Sequence, residues 1–147
     1  MSQAPAARVR TLMGFDFGTQ RIGIATGQRL TATSQQLEPI KARDGIPDWD
    51  LLQRIIDEWQ PDAFVVGLPL NMDDSESDLS SRARKFARRL QGRFGVQVEM
   101  VDERLTSREA KMLSREQGTQ DLTKIDHIAA SLILQSWLDC PEMGATP

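Results

Sequence analysis

The chain has 147 residues, of which 39% are hydrophobic and 27% are charged, and this composition predicts one ordinary globular domain with a buried core. A single cysteine, Cys140, excludes an internal disulfide and a thiolate metal cluster, and a single histidine, His127, excludes a zinc site built from several histidines. The net charge of −3 argues against a general affinity for nucleic acid, although it does not show where the charges lie.

No run of about 18 apolar residues is present, so no membrane span is expected.

The two ends of the chain are predicted to lie outside the folded domain. Residues 1–10 lack an apolar segment and are predicted to form a flexible tail rather than a secretory signal. Residues 11–140 are predicted to form a single domain and residues 141–147 a C-terminal tail, in a protein whose lone cysteine suits the reducing cytoplasm.

Three strands are predicted in the first third of the chain. The segments TLMGFDFG and RIGIATG are apolar and are separated by Thr19 and Gln20, with glycines on either side of the turn. The segment ATSQQLEPIKA predicts a third, weaker strand. The three strands are expected to form an antiparallel meander.

Helices and strands alternate in the rest of the chain. The segment DGIPDWDLLQRIIDEWQP predicts a helix that Asp48 caps and Pro61 ends. The run AFVVGLP is typical of a buried parallel strand, and VQVEMVDER predicts a fifth strand. The remaining helices are predicted from about Leu79 to Phe94, over TSREAKMLSREQG, and from about Ile125 to Cys140.

This order of elements predicts a mixed α/β domain. Strands that alternate with helices pair in parallel through right-handed crossovers. Their carboxyl ends meet at one edge of the sheet, where α/β proteins bind their ligands.

Asp16 is an acid near the carboxyl end of the first predicted strand. It shares strand parity with Leu12 and Gly14, so its side chain leaves a face that is otherwise apolar or small. A buried carboxylate is unfavourable without a compensating cation, which points to a ligand at this position. The alternative is a turn-capping aspartate bonded to the amide of Gly18 or Thr19, and the strand alone does not decide between the two.

The fifth predicted strand also ends in acids, Asp102 and Glu103, whose side chains point to opposite faces. Asp102 shares parity with Val98 and Met100, so parity favours Asp102 as the core-facing acid unless the strand end twists or bulges. The alternative role for an acid here is an ion pair with Arg104.

A third acid, Asp126, lies near the start of the last predicted helix. On a helical wheel it falls between Ile133 and Trp137, inside the apolar stripe that packs on the sheet. Helix capping is the alternative role. Because a cap has no need to lie on the apolar face, the position favours a functional role.

Three carboxylates brought together from three elements would repel one another and raise one another's pKa values. Divalent cations bound between them would remove that repulsion, and carboxylate oxygens select hard cations such as Mg²⁺ or Mn²⁺. A pair of such ions activates water and stabilises the leaving oxygen of a phosphodiester. The acids therefore predict a nuclease of the two-metal-ion type.

The predicted helix LSSRARKFARRLQGRF carries six cations and no acid. One stripe of its helical wheel is formed by Arg82, Lys85, Arg89 and Arg93. Such a face is typical of a surface that binds nucleic-acid phosphates, whereas a merely solvated face usually mixes both signs of charge. Nucleic acid is therefore the favoured partner, and Arg104 and Lys124 are candidates to extend this surface.

Four motifs in order, FDFGTQRIGIA, VVGLPLN, DERLTS and KIDHIAASLILQSWL, resemble the YqgF family. Its members have been called Holliday-junction-resolvase-like proteins and pre-16S rRNA nucleases. The resemblance extends from Thr11 to about Cys140. It implies an RNase H-like fold with a five-stranded mixed sheet in the order 3-2-1-4-5, flanked by helices.

The resemblance also implies the site. It places catalytic and metal-binding acids at Asp16, Glu103 and Asp126, with Mg²⁺ or Mn²⁺ as cofactor. The family pattern thus favours Glu103, whose longer side chain can reach the first strand, where parity favours Asp102. After GLPLN the family often has Asp-Gly, whereas this chain has Asp73 and Asp74, either of which could supply a ligand.

The function implied is an endonuclease acting on structured nucleic acid, in particular one that processes the 5′ end of pre-16S rRNA in ribosome biogenesis. Its expected partners are nucleic acid and ribosomal particles, with no membrane, and its expected state is a monomer or weak homodimer. A Holliday junction resolvase is the first alternative and would need a two-fold dimer. A non-catalytic RNA-binding module of ribosome assembly is another, and an ATPase suggested by DFGTQ is disfavoured because no second phosphate-binding loop is present.

Overall fold

A mixed sheet forms the centre of the computed structural model, which describes residues 10–104 and 128–147. Within these residues the sheet has seven strands: β1 (Thr11–Asp16), β2 (Arg21–Gln28), β3 (Thr33–Gln36), β4 (Ile40–Arg43), β5 (Ile46–Pro47), β6 (Ala63–Leu68) and β7 (Gln97–Asp102). The helices are α1 (Trp49–Trp59), α2 (Asp78–Phe94) and α3 (Ala129–Asp139), and a short 3₁₀ helix follows at Pro141–Met143.

The α/β class and the central strand order are confirmed. β1 pairs antiparallel with β2 and parallel with β6, and β6 pairs parallel with β7. The order β2-β1-β6-β7 corresponds to the predicted order 2-1-4-5.

The predicted five-stranded sheet is wrong in its outer part. The predicted third strand is two strands, β3 and β4, which both pair with β2 but at opposite ends of it. Pro39 lies between them, and a proline has no N–H with which to continue a ladder of backbone hydrogen bonds.

The residues just before the first helix form a hairpin that the sequence analysis did not predict. Asp44 and Gly45 have left-handed backbone angles, with φ of 51° and 81°, and they form the two-residue turn of a hairpin between β4 and β5. The helix begins only at Trp49, where Asp48 caps it as predicted by accepting hydrogen bonds from the amides of Asp50 and Leu51.

Helices cover both faces of the sheet. On one face α1 and α2 pack with Phe15, Phe64 and Met100 in one core, while on the other face α3 packs with Leu12, Val65 and Val101 in a second core. Because side chains alternate along a strand, neighbouring residues of β1 and β7 belong to different cores.

Gly14 lets α3 lie close to β1. A Cβ atom at Gly14 would lie 2.8 Å from Cβ of Leu134 and 3.1 Å from the backbone oxygen of Ala130. We expect Gly14→Ala to lower the free energy of unfolding by about 1–3 kcal/mol through overpacking, measured by urea unfolding. An unchanged unfolding midpoint would show that α3 moves away from the sheet without cost.

The last residues of the chain lie against the edge of the sheet. Ala145 and Met100 exchange two backbone hydrogen bonds of 2.9 and 2.7 Å on the outer side of β7. Residues 141–147, predicted as a tail, thus cover part of an edge strand. The predicted N-terminal tail, apart from residue 10, and the predicted helix TSREAKMLSREQG lie outside the described residues.

No helix in the described part of the chain is both long and apolar enough to cross a membrane.

Candidate active site

Asp16 ends β1 on the face that α3 covers. Its partner in β2 is Gly23, and a Cβ atom there would lie 3.3 Å from Cβ of Asp16 and 3.5 Å from Cβ of Ala130. The acid therefore lies close to the place where the described part of α3 begins, on a backbone that carries no bulky neighbour.

Glu103 follows β7 and reaches Asp16 across β6. A Cβ atom at Gly67 would lie 2.6 Å from Oε1 of Glu103 and 2.8 Å from its Cγ, so the Glu103 side chain lies directly over Gly67. Glu103, when protonated, donates a hydrogen bond to Asp16. Two carboxyl groups from β1 and the end of β7 thus meet above the strand between them.

The pair is electrostatically unfavourable when both acids are charged. Burial of the Glu103 carboxyl raises its pKa most, followed by the charge and hydrogen bond of Asp16 and by the charge of Asp102, and together they raise this pKa from 4.5 to about 8. At neutral pH the metal-free pair therefore holds a proton. A cation bound between the two carboxylates would offset the charge of Asp16 and take the place of the hydrogen bond between them. These are the two effects of Asp16 that raise the pKa of Glu103.

Asp102, the acid that strand parity favoured, lies on the opposite face of β7 from Glu103. It pairs with Leu68 of β6 and accepts hydrogen bonds from Arg104, from Nη2 at 2.7 Å and from the backbone N at 2.9 Å. This is the ion pair that the sequence left open as the alternative.

Strand parity did not identify the acid that lies beside Asp16, because both faces of β7 are buried. Met100 belongs to the core under α1 and α2, and Val101 belongs to the core under α3. The register settles which face is relevant: Gly14 of β1 lies beside Val65, and Val65 lies beside Glu99. Asp16 therefore shares its face with Glu99, Val101 and Glu103. The pairing of β6 with its neighbours was the missing signal.

Asp126, His127 and Lys124 lie outside the described residues. Within residues 10–104 and 128–147, no group of three or more acidic, histidine or cysteine side chains is placed to hold a metal ion. The described part of the predicted site is the pair Asp16 and Glu103.

The acids of the loop after β6 have other partners. Asp73 accepts hydrogen bonds from the backbone N and the hydroxyl of Ser75, which lower the pKa of Asp73. Asp74 forms an ion pair with Arg104 at 2.6 Å. Both carboxylates therefore help to fold the loop.

Arg104 ties this loop to the end of β7. Besides the two acids, it donates a hydrogen bond from Nη1 to the backbone oxygen of Asn71 at 3.1 Å. The residue was predicted to contact nucleic acid, but its guanidinium is engaged within the protein, immediately after Glu103. Its contacts fix the chain at the point from which Glu103 extends.

Because these contacts position Glu103, we expect Arg104→Ala to reduce the activity of the site by at least about 10-fold, the effect of removing a group that orients a functional side chain. It should also lower the melting temperature, and this difference should depend on pH. The Arg104 hydrogen bonds lower the pKa of Asp102 below its ordinary 3.8, so their stabilisation is full above that pH and is lost as the pH falls through the lowered pKa. Melting curves that differ equally at pH 2 and pH 7 would contradict this role.

The basic stripe lies on α2, on the other face of the sheet. Acids from neighbouring segments pair with one cation of the stripe, Arg82 with Asp44 at 2.8 Å, and with a cation beside it, Arg84 with Glu76 at 2.6 Å. The helix itself adds a bond from Arg82 to Asp78. The expectation of a purely cationic face is therefore wrong for this part of the helix.

Two further cations of α2 differ in their surroundings. Lys85 is exposed, and Arg93 lies over the ring of Trp49 at 4.2 Å from the centroid. The cation–π contact orients Arg93 along the protein surface.

A family model described as RuvX, Holliday junction resolvase, matches residues 10–140. The chain belongs to the RuvX family. RuvX and YqgF are two names of one family, so the resemblance seen in the four motifs is confirmed.

Relatives of this RuvX-family chain match it over nearly their whole length. A protein of Pseudomonas savastanoi pv. phaseolicola is 53% identical over 137 residues, covering 90% of this chain and 94% of the relative. A protein of Escherichia coli O157:H7 is 53% identical over 132 residues, covering 88% and 96%. Both are named "Putative pre-16S rRNA nuclease". The predicted enzyme class, a nuclease, is confirmed by the family and these names.

Solved structures share the fold. Thermus thermophilus RuvC in complex with a Holliday junction substrate has a TM-score of 0.53 and 14% identity, over 92% of this chain and 98% of that one. The Fowlpox virus resolvase in complex with Holliday junction DNA has a TM-score of 0.52 and 14% identity, over 88% and 97%. At this identity the likeness confirms the RNase H-like fold class.

Proposed function

We propose that the chain is an endonuclease that depends on a divalent cation, with Asp16, Glu103 and Asp126 as its metal-binding and catalytic acids. The observation that carries the proposal is the meeting of Asp16 and Glu103 over Gly67 on the buried α3 face. Two half-buried acids that face each other destabilise a fold when both are charged, so their presence here supports a role that uses both charges.

The residues fit Mg²⁺ or Mn²⁺. The donor atoms of the pair are carboxylate oxygens, which suit hard cations, and Gly23 and Gly67 bring no side chain between the acids and the strands beneath them. We assign the third carboxylate to Asp126, the acid that the family resemblance implies, which lies four residues before Ala130 in the sequence. Ala130 itself packs beside Gly23. When bound, the cation would supply a water of lowered pKa and polarise the phosphate.

The protein residues have separate tasks in this proposal. In the metal-free state the Glu103 carboxyl keeps its proton. It would release this proton when a cation binds, because the cation makes a second negative charge beside Asp16 favourable. Asp16 accepts that proton's hydrogen bond and fixes the Glu103 carboxyl over β6. Gly67 leaves room for the Glu103 side chain and Gly23 leaves room for Asp16 and Ala130, so both acids can lie against the strands beneath them.

The proposed substrate is the 5′ end of pre-16S rRNA, processed in the cytoplasm during ribosome biogenesis. This rests on the names of relatives that are 53% identical over nearly their whole length. A Holliday junction is the second candidate, supported by the description of the matching family and by the shared fold with resolvases.

A cleavage assay separates these functions. Wild type and Asp126→Asn are incubated with Mn²⁺ or Mg²⁺ on pre-16S rRNA and on a four-way DNA junction. We expect wild type to cut the RNA at its 5′ region, and the variant to bind it without cutting. Cleavage of the junction alone would move the assignment to a resolvase, and RNA binding without cleavage by wild type would contradict a nuclease.

A further inference from the structure

A basic cleft lies between α2 and the β4–β5 hairpin. It encloses about 200 Å³, and its cationic wall is formed by Arg82, Lys85 and Arg89. These three residues follow one another at i, i+3 and i+7, so they line one side of the helix. The opposite wall is the hairpin turn at Asp44 and Gly45.

The shape of the cleft is fixed by the packing beneath it. Phe17 and Phe86 form its floor, with ring centroids 5.4 Å apart, and both are almost fully buried. A Cβ atom at Gly45 would lie 2.8 Å from Cζ of Phe17, so the hairpin turn rests directly on that ring. The turn is also tied to the β1–β2 connection, because the amide of Gly45 donates to the backbone oxygen of Thr19 at 2.8 Å.

One acid already occupies part of the cleft. Asp44 accepts a hydrogen bond from Nη1 of Arg82 at 2.8 Å, but its side chain is 77% exposed. Ion pairs with that exposure contribute little, because water solvates both charges when the pair opens. In the described part of the chain, Lys85 and Arg89 form no ion pair.

We propose that this cleft binds one backbone phosphate of the nucleic-acid substrate, and that Asp44 occupies the position of that phosphate on Arg82 until the substrate displaces it. A phosphate offers oxygens that pair with a guanidinium in two parallel bonds and with an ammonium as a point charge. A phosphate would be one partner shared by Arg82, Lys85 and Arg89. Asp44 lies at the rim of the cleft and pairs with only one of these three, Arg82.

The phosphate held here is a different one from the phosphate that is cleaved. Phe17 immediately follows Asp16, and the two side chains leave opposite faces of the sheet. A substrate that contacts both places must pass over the carboxyl end of β1. The inference rests on the proposed function for its substrate, a structured nucleic acid.

The test is a binding measurement without cleavage. A fluorescently labelled RNA duplex is titrated with protein in EDTA, and anisotropy is read over a series of salt concentrations. We expect Lys85→Ala to weaken binding and to lower the slope of log K against log salt by roughly 0.7–0.9, the value for one phosphate contact. We expect Asp44→Asn to tighten binding by up to about fivefold, the range for release of one exposed ion pair.

Matched controls keep the result specific. Arg54→Ala and Glu58→Gln make the same charge changes at exposed positions of α1 that do not line the cleft, and both should leave affinity within about twofold. Inorganic phosphate, added as a competitor, should displace the duplex only weakly, because the cleft contributes one contact among several. Phosphate that binds as tightly as the duplex would overturn the assignment to a nucleic-acid backbone.

The failure of this inference is distinct from failure of the proposed function. Equal salt slopes for wild type, Lys85→Ala and Arg54→Ala would overturn the cleft even if wild type cleaves RNA. A cleft-dependent salt slope in a protein that cleaves nothing would support the cleft and contradict the nuclease. Melting curves of each variant confirm that the compared proteins are folded.

Discussion

Glu103→Gln is expected to reduce cleavage by at least about 100-fold while the protein remains folded. The lower bound comes from the effect of removing groups that merely support a metal ligand, which already costs 10–100-fold. The glutamine amide would keep the size of the side chain over Gly67 and could still bond Asp16, but it would bring no second charge to the site. Cleavage of a labelled RNA under single-turnover conditions measures the effect.

Glu99→Gln is the matched control for this variant. Glu99 lies in β7, on the face of the sheet that Glu103 also occupies, and accepts a hydrogen bond from Nε1 of Trp137 at 2.7 Å, which a glutamine oxygen also accepts. We expect its activity to stay within about twofold of wild type. Equal losses in both variants would show that the effect is structural.

The Glu103→Gln substitution should also stabilise the metal-free protein as the pH rises. Glu103 has a pKa of about 8 in the folded protein and an ordinary value of 4.5, so between these values the folded state binds a proton that the unfolded chain has lost. The free energy of unfolding of wild type therefore falls from about pH 4.5 to about pH 8. Glu103→Gln does not show this decrease. In EDTA, its free energy of unfolding should therefore exceed that of wild type by an amount that grows over that interval to the order of a few kcal/mol and then remains constant.

Gly67→Ala is expected to abolish activity through position rather than charge. The new methyl group would lie 2.6 Å from Oε1 of Glu103 and 2.6 Å from Cδ1 of Ile133, both closer than atoms can approach. Glu103 must then leave its place over β6, and the pair with Asp16 opens. We expect a loss of cleavage of at least about 100-fold and a decrease of about 1–3 kcal/mol in unfolding free energy.

Gly92→Ala serves as the control for a glycine replacement. Gly92 lies in α2 with nothing within 4 Å of the position of a Cβ atom. Alanine there should raise stability by up to about 1 kcal/mol and leave cleavage unchanged, since alanine favours helix more than glycine does. If Gly67→Ala retains full activity, the path of Glu103 over β6 is not the active arrangement.

The elements with a strong local pattern were predictable from the sequence. β6 is a continuous apolar run because helices cover both of its faces, and α2 carries a full apolar arc between Ser77, which caps it, and Gly95, which ends it in a left-handed conformation. These features are set by neighbours in sequence, so composition and spacing reveal them.

The hairpin at Asp44 and Gly45 was missed although its signal is local. An Asp-Gly pair is typical of a two-residue turn, but the residues after it also fit the start of a helix. The charge partners were missed for a different reason. Asp44 meets Arg82, 38 residues away in sequence, because the hairpin turn rests on Phe17 through Gly45.

The second acid needed the register of the whole sheet. Asp102 and Glu103 are neighbours in sequence, and both faces of β7 are buried, so no count within β7 can separate them. The pairing of Asp16's strand with β6, and of β6 with β7, places Glu103 on the face of Asp16. The roles assigned to these acids, and to Asp126, remain predictions.

Proton release on metal binding tests the central claim most directly. Mn²⁺ is titrated into the protein by calorimetry at pH 7 in buffers of different ionisation enthalpy, which gives the number of protons released per site. Because Glu103 keeps its proton until about pH 8 without metal, wild type should release about one proton at pH 7, and Glu103→Gln should release none and bind the ion more weakly. Equal release and equal affinity in the two proteins would contradict a metal site built on Asp16 and Glu103.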